Sequence, residues 1–234
     1  MSKTVVLGDI HGRDCWFDII NKENPDKVIF LGDYVSTHDK DTTSEQQCIN
    51  LEDILNYKEE NPDKVILLRG NHDMQHLGYH WAQCSGFDHK VYNWMSGIKE
   101  RFLKLTQWIY IENDTIFSHA GISQVWLDNC KLKVENINNE DPNEKFAFTP
   151  EVPWDYAGYS TTQPPIWIRH TSLIECNIKG YNQVVGHTPV YYICNLKNFK
   201  DVDIEENIWM CDNLPKQYLV IEDNEYKVKT CKYD

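Results

Sequence analysis

The segment Val5–Gly12, VVLGDIHG, joins a run of apolar residues to an aspartate and a histidine set between two glycines. An apolar run that stops at Gly-Asp is typical of a buried strand followed by a turn. Asp and Gly are common turn residues, so Asp9 and His11 alone indicate little about function. They become informative if further carboxylates and imidazoles follow the other strands.

The first seventy residues repeat one rhythm of strand and helix. We predict strands at 4–7, 27–31 and 64–68, with helical segments at about 13–21 and 44–59 between them. This alternation predicts an α/β sheet with parallel strands.

The rest of the chain adds a helical middle at about 75–105 and a hairpin whose turn is Asn113-Asp114. Late strands are predicted at 183–185, 207–211, 217–221 and 226–230. These strands favour a mixed α/β sandwich over a doubly wound sheet. The polar, Asn-rich stretch at about 131–165 is predicted to be an excursion from a single domain covering residues 1–234.

The composition is that of a globular, acidic protein. Of the 234 residues, 41% are hydrophobic and 12% aromatic, which excludes a disordered chain. The formal net charge of −13 argues against a generally basic surface, so nucleic acid is an unlikely partner. An acidic protein that handles phosphates needs local positive charge, and bound metal ions are one source of it.

Cysteine usage and hydropathy bear on the compartment. The eight cysteines lie far apart without a C-x-x-C pair, which indicates reduced thiols in a cytoplasmic protein. No run of 18 apolar residues is present, so we expect neither a membrane-spanning helix nor a membrane partner. The first residues turn polar too early for a signal peptide. No obligate protein partner is evident.

Side chains of the kind that bind metals follow the predicted strands. They are Asp9, His11, Asp33, Asn71, His119 and His187. Because ligands bind beyond the carboxyl ends of strands in open α/β sheets, we expect these segments to meet at one rim. Three imidazoles, two carboxylates and an amide suit Mn, Fe, Zn, Co or Ni without selecting one. Six ligands exceed one four-coordinate site, but they fit two metals that share a bridging carboxylate.

The chain resembles the calcineurin-like metallophosphoesterase superfamily. The resemblance rests on five blocks in the superfamily's order, namely GDIHG, GD, GNHD, SHAG and GHTP, spanning Asp9 to His187. It implies a four-layer α/β/β/α sandwich with mixed central sheets. It also implies two divalent metal ions, with manganese as the first choice.

The resemblance assigns a role to each of these residues. Asp9 and His11 would bind the first metal, and Asp33 would bridge both. The second metal would be bound by Asn71, His119 and His187. Asp33 and His72 would be the catalytic residues of a phosphoester hydrolase that uses a metal-activated hydroxide. His72 would donate a proton to the departing oxygen or contact phosphate, and Asn71 would contact the substrate too.

Two features indicate the phosphoprotein-phosphatase-like branch with phage and bacterial members. Pro189 stands where many phosphodiesterases of the superfamily have a second histidine. The segment IWIR ends in Arg169, where the branch tends to place a phosphate-binding arginine. A guanidinium fork matches phosphate geometry, so Arg169 is the candidate phosphate clamp.

One departure from that branch leaves the substrate open. Ser36 and Thr37 replace an Asp-Arg pair in which the aspartate orients the catalytic histidine and the arginine holds phosphate. His38, Asp39 or Arg13 are candidates to compensate. The preferred function is a phosphomonoesterase, with serine/threonine protein phosphatase activity as one form. The alternatives are a dinucleoside-tetraphosphate, nucleotide or phosphodiester hydrolase, a polynucleotide end-phosphatase, and a catalytically weak metal-binding interaction protein.

Several other polar residues are predicted to have structural roles. We expect Asp73 to brace its turn, Arg69 to form a structural ion pair and His76 to pack or be solvated. Trp154 and Tyr156 lie in the excursion, which is the candidate for setting specificity. Either aromatic could stack on a base if the substrate were a nucleotide.

Overall fold

The computed structural model describes residues 2–37 and 39–231. His38, one of the candidates to compensate for the missing Asp-Arg pair, lies outside the described residues. The strands are β1 (Lys3–Leu7), β2 (Lys27–Phe30), β3 (Val65–Leu67), β4 (Ile109–Glu112), β5 (Thr115–Ser118), β6 (Asn182–Val185), β7 (Cys194–Asn195), β8 (Ile208–Met210), β9 (Gln217–Glu222) and β10 (Glu225–Thr230). The α-helices are α1 (Trp16–Glu23), α2 (Ser44–Glu60), α3 (Asn71–His76), α4 (His89–Gly97), α5 (Lys99–Leu105), α6 (Gln124–Cys130) and α7 (His170–Glu175).

Two five-stranded sheets form the centre of the protein. The first has the order β10-β9-β1-β2-β3, and the second has the order β4-β5-β6-β8-β7. In the first sheet β1, β2 and β3 are parallel, while β9 and β10 run antiparallel. In the second sheet β5, β6 and β8 are parallel, and β4 and β7 are antiparallel at its edges. Both sheets are therefore mixed, as predicted.

Alternate residues along the strands divide the core into three layers of side chains. Val6 and Ile29 of the first sheet pack against Phe117 and Val184 of the second, between the sheets. Val5 and Phe30 belong to the outer face of the first sheet, which packs against α1 and α2. The outer face of the second sheet packs against α7 through Leu173. The predicted four-layer α/β/β/α sandwich is confirmed.

Most predicted elements are present, with ends shifted by one to three residues. The hairpin turn at Asn113-Asp114 is confirmed, since Glu112 pairs with Thr115 across it. The helical middle is broken into three α-helices with an irregular stretch at 83–88. The sequence analysis missed β7, α6 and α7, which are two to seven residues long and too short to show periodicity. No helix in the described part of the chain combines the length and apolarity needed to cross a bilayer.

The predicted excursion at 131–165 contains 3₁₀ turns at Val134–Asn139 and Glu144–Phe146 and is held firmly to the core. The fully buried Phe146 ring stacks on Trp108 at a centroid distance of 3.7 Å. Two indole N–H groups donate to carbonyls of this segment: Trp108 to Glu140 O at 3.3 Å and Trp126 to Lys145 O at 3.2 Å. The indole N–H of Trp167 donates to Phe146 O at 2.9 Å.

We expect Phe146→Ala to destabilise the whole protein by about 3–5 kcal/mol, because it empties a buried aromatic site. Urea unfolding, followed by tryptophan fluorescence and by far-ultraviolet circular dichroism, measures this loss. Tyr156→Ala is the control, since Tyr156 is 86% exposed in the same segment. It should change the free energy of unfolding by no more than about 0.5 kcal/mol. Two separate transitions would contradict the predicted single domain.

Candidate metal centre

The residues proposed as metal ligands meet at the carboxyl ends of five strands. Asp9 and His11 follow β1, Asp33 follows β2, Asn71 starts α3 just after β3, His119 follows β5 and His187 follows β6. Their ligand atoms form two groups, Asp9–His11–Asp33 and Asp33–His119–His187, each with all atoms within 4.8 Å of one another. The groups share Asp33, so the geometry has room for two ions and a bridging carboxylate. Asn71 Oδ1 lies beside the second group, 3.0 Å from His119 Nε2.

Close approach of the backbone makes this convergence possible. A Cβ on Gly70 would lie 2.1 Å from Asp33 Oδ1, and one on Gly186 would lie 2.2 Å from Asp9 Oδ1. Glycine at these positions therefore leaves the space that the two carboxylates occupy. His11, Asp33 and His187 have φ of 47°, 51° and 59°, in a left-handed region that non-glycine residues rarely adopt. Strained backbone of this kind clusters at functional sites.

Each of the three histidines has one ring nitrogen hydrogen-bonded to a backbone carbonyl. The bonded nitrogens are Nδ1 of His11, Nδ1 of His119 and Nε2 of His187. The acceptors are the carbonyls of Val35, Leu31 and Trp167, at 3.0, 2.9 and 3.1 Å. A carbonyl can only accept, so in the neutral ring the proton stays on the bonded nitrogen. The other nitrogen keeps its lone pair, and this arrangement is the usual one for metal-binding histidines.

Backbone N–H groups hold the two buried carboxylates. The Asp9 oxygens accept from His187 N at 3.0 and 3.1 Å. Asp33 Oδ1 accepts from His72 N at 2.9 Å, while Asp33 Oδ2 lies 3.3 Å from His119 Nε2. Both carboxylates are 1% exposed, so each is fixed in position with little access to water.

The buried carboxylates and imidazoles of the site shift one another's pKa. Burial alone would raise the pKa of Asp33, but His119 and His72 together hold it below its usual range. Burial would lower the pKa of His119, yet Asp33 and Asp9 raise it to about 10. A proton on His119 thus balances the negative charge of the buried carboxylates beside it. Metal binding has to displace that proton.

His72 lies at the edge of the two ligand groups. Its Nε2 is 4.0 Å from Asp33 Oδ2, and its Nδ1 is 2.8 Å from Ser36 Oγ. Cys84 Sγ is 3.5 Å from the same Nδ1. Nε2 of the ring therefore points toward the ligand groups. Nδ1 points toward Ser36, where the sequence departs from the phosphoprotein-phosphatase-like pattern.

Asp73 links the turns that follow β2 and β3. It is fully buried, and its oxygens accept from the backbone N–H groups of Asp33, Tyr34 and Gly70 at 2.8–2.9 Å. Burial, with a further contribution from Asp33, raises the pKa of Asp73 to about 8. These bonds agree with its interpretation as a brace.

Arg69 and His76 are both buried near the site. The prediction of an ion pair for Arg69 is wrong, since no described acidic side chain pairs with it. Its guanidinium instead donates to Leu103 O, Thr106 O and Thr106 Oγ1, and lies 4.7 Å from the Trp108 ring. His76 is buried and packed, as expected. It bonds His72 O through Nδ1 and accepts from Asp88 N through Nε2.

A cleft of about 650 Å³ opens above the ligand groups. Arg169 lines it and bonds Ala157 O, His187 O and Thr188 Oγ1 at 2.9–3.2 Å. Within the described residues, no partner is found for Arg169 Nη2. Arg13 lines the cleft as well, whereas Asp39 is exposed elsewhere. Of the described candidates to compensate for the Asp-Arg pair, only Arg13 is in place to do so.

The sequence analysis missed Asp212, a nearly buried carboxylate that also lines the cleft. Asp212 lies two residues after the end of β8, as Asp9 lies two residues after the end of β1. Burial raises its pKa, and its neighbours include His11 and Asp33. An acid just after the apolar run at 207–211 was the available signal. No glycine precedes it, so it did not match the blocks.

The chain is similar to known proteins in family and in fold. The family model for calcineurin-like phosphoesterases matches residues 2–219. A cold-active protein-tyrosine phosphatase of the psychrophile Shewanella sp. is 17% identical with a TM-score of 0.65, over 99% of this chain and 81% of that chain. A protein serine/threonine phosphatase from Saccharomyces cerevisiae, similar to human phosphatase PP5, is 13% identical with a TM-score of 0.63, over 100% and 80%.

A metallophosphoesterase from Sphaerobacter thermophilus is also similar in fold. It is 14% identical with a TM-score of 0.54, over 99% of this chain and 89% of that chain. The search of curated proteins gave no match. At these identities the solved structures show a shared fold, while the family model covers nearly the whole chain.

We expect Asp33→Asn to weaken divalent metal binding by at least roughly 100-fold, beyond the usual effect of an outer-shell change. The amide keeps the shape of the side chain but loses the charge that both ligand groups share. Titration calorimetry with Mn²⁺ measures the affinity, and thermal unfolding confirms that the variant folds. Asp39→Asn, an exposed carboxylate of the same loop, is the control. Unchanged binding of two ions would exclude the shared role of Asp33.

Proposed function

Because the chain belongs to the calcineurin-like phosphoesterase family and is a hydrolase of phosphoesters, we propose that it is a phosphatase acting on phosphomonoesters. The family depends on a dinuclear metal centre. The observation that carries the proposal is the pair of ligand groups that share Asp33 at the floor of a cleft. A site of this form suits in-line hydrolysis and needs no serine or cysteine nucleophile.

Asp9, His11 and Asp33 would hold the first metal. The second would be held by Asp33 together with Asn71, His119 and His187. When bound, two divalent ions supply positive charge to phosphate oxygens and activate water for attack on phosphorus. Manganese remains the first choice, with Fe, Zn, Ni and Co also compatible with these donors.

His72 is the proposed general acid. Its Nε2 lies close to Asp33, at the border of the cleft, where it can donate a proton to the departing oxygen. Asn71, next to His72 in the cleft lining, is proposed to contact the substrate as well.

Arg169 is the proposed phosphate clamp. Three hydrogen bonds to backbone and side-chain oxygens fix its guanidinium, and Nη2 is left to donate to a phosphate oxygen. Arg13 approaches the cleft from the turn after β1 and adds a second positive charge. Together they match the charge of a terminal phosphate dianion, which favours monoesters over diesters.

The class of the leaving group is proposed more broadly. Two of the proteins similar in fold are protein phosphatases, which supports phosphoproteins as substrates. Nucleotides are the second candidate, because Tyr156 lines the cleft and is 86% exposed, free to stack on a base. We propose a cytoplasmic location because the eight cysteines lie far apart in the sequence without a C-x-x-C pair.

We expect manganese-dependent release of p-nitrophenol from p-nitrophenyl phosphate, and much slower release from bis-p-nitrophenyl phosphate. Assays with added Mn²⁺, against a chelated control, measure both rates. Faster hydrolysis of the diester would indicate a phosphodiesterase despite Pro189. Failure to hydrolyse either ester, or any phosphopeptide or nucleotide, with two ions bound would favour a metal-binding interaction protein.

We expect Arg169→Ala to raise KM for p-nitrophenyl phosphate by roughly 10- to 100-fold, the equivalent of about 1.5–3 kcal/mol for a hydrogen bond to a charged group. Arg169→Lys should restore part of the loss, because it keeps the charge but not the fork. Arg101→Ala is the control, since Arg101 pairs with Glu52 and Glu59 away from the cleft lining. The metal content of each variant shows whether KM rises through lost substrate binding or through displacement of His187, whose carbonyl Arg169 bonds. An unchanged KM in Arg169→Ala would exclude the clamp.

A further inference from the structure

We propose that Ser36 is the positioning residue of His72, replacing the missing aspartate with a neutral hydroxyl. The inference rests on the proposed function only in treating His72 as a general acid. Ser36 is 1% exposed and follows Asp33 by three residues. It therefore lies at the start of the loop where the sequence departs from the phosphoprotein-phosphatase-like pattern.

The hydrogen bonds of Ser36 define the direction of donation. Its Oγ lies 2.8 Å from Gly86 O, which can only accept, so the hydroxyl proton goes to that carbonyl. The same Oγ is 2.8 Å from His72 Nδ1 and is left to accept the Nδ1 proton. Cys84 Sγ is more distant from Nδ1, at 3.5 Å, and makes the weaker contact. His72 is thus held as the Nδ1–H tautomer.

The backbone of Ser36 is fixed in the conformation that this contact needs. Its φ is 71°, in the left-handed region, and its N–H donates to Gln47 Oε1 of α2 at 2.8 Å. A serine in that region carries local strain, which the surrounding contacts have to offset. The backbone and the hydroxyl of Ser36 are therefore both held in place by hydrogen bonds.

The acceptor of Ser36 is fixed too, by the helix that carries His72. Gln75 of α3 accepts from Cys84 N at 2.7 Å and donates to Ser85 O at 3.4 Å. His76 of the same helix accepts from Asp88 N at 3.0 Å. These bonds hold the loop containing Gly86 against α3. Gly86 of this loop accepts the hydroxyl proton of Ser36, and Ser36 in turn bonds the ring of His72 on α3.

This arrangement assigns the two ring nitrogens of His72 different tasks. The Nδ1 proton stays on the ring and is donated in a hydrogen bond to Ser36 Oγ. Nε2 is therefore the nitrogen that gives up a proton at the cleft. A carboxylate would orient the ring and add negative charge behind it. The hydroxyl orients the ring without that charge, in a site already crowded with buried carboxylates.

The first test compares leaving groups. Ser36→Ala should lower kcat for phenyl phosphate by roughly 10- to 100-fold with KM unchanged, as for loss of an outer-shell partner. The loss for p-nitrophenyl phosphate should be smaller, because its better leaving group needs less proton donation. Ser36→Gly gives a second variant that suits the positive φ and guards against misfolding.

Thr37→Ala is the matched control on the same loop, because its hydroxyl accepts from Asp39 N at 3.0 Å, whereas the hydroxyl of Ser36 is the one bonded to His72. It should leave kcat for both substrates unchanged. Equal losses for the two leaving groups in Ser36→Ala and Ser36→Gly would overturn the proposal, since they indicate a structural defect.

A double-mutant cycle tests whether Ser36 acts through His72. In the His72→Ala background, Ser36→Ala should change kcat by no more than about twofold, because the interaction is already gone. A full additional loss would show that Ser36 acts by another route and would overturn the proposal.

The final test does not depend on activity. Nitrogen-15 NMR of the imidazoles, in metal-free and zinc-loaded protein at alkaline pH, reports the tautomer of His72. We expect the Nδ1–H tautomer in wild type and in Thr37→Ala, and a shift toward Nε2–H in Ser36→Ala. An Nε2–H tautomer in wild type would overturn the proposal even if the protein proved inactive on every ester. The expected tautomer in an inactive protein would leave Ser36 in place and count against the proposed function alone.

Discussion

The buried carboxylate of Asp33 is the point on which the rest of the site depends. It is shared by both ligand groups, and α3 holds it in two ways: the N–H of His72 donates to the carboxylate, and Asp73 accepts from the backbone N–H of Asp33. Burying such a charge without compensation would cost several kcal/mol per ion. The imidazoles of His119 and His72 and the backbone N–H of His72 offset that cost. The strained turns and the close-packed glycines are consequences of bringing enough partners to one carboxylate.

Much of this could be predicted because strand ends carry a strong local signal. An apolar run followed by Gly-Asp or Gly-Asn both ends a strand and provides a ligand, so the position of Asp9 follows from the same letters as β1. Parallel topology brings together the turns after β1, β2 and β3 in one sheet and those after β5 and β6 in the other. The packing of the two sheets then brings both sets to one rim. The role of these residues as ligands stays a prediction, although the structure brings them together.

What could not be predicted depends on contacts between distant segments. Arg69 was expected to pair with an acid, but it bonds carbonyls and stacks on Trp108, because the end of α5 lies beside it. The hydrogen bond of Ser36 to Gly86 joins loops fifty residues apart, which no periodicity reveals. Asp212 lacked the neighbouring glycine that marked the other turns. Short elements such as β7 have too few residues to show a pattern.

The hydrogen bonds around Trp167 give the segment at 131–165 a further significance. The indole of Trp167 donates to Phe146 O, and its carbonyl is bonded to His187. Trp167 thus joins Phe146, in the middle of that segment, to His187 of the second ligand group. Between these fixed points the chain exposes Trp154 and Tyr156 to solvent. The exposed stretch can therefore change in sequence without disturbing Phe146 and Trp167, the residues that connect this segment to His187.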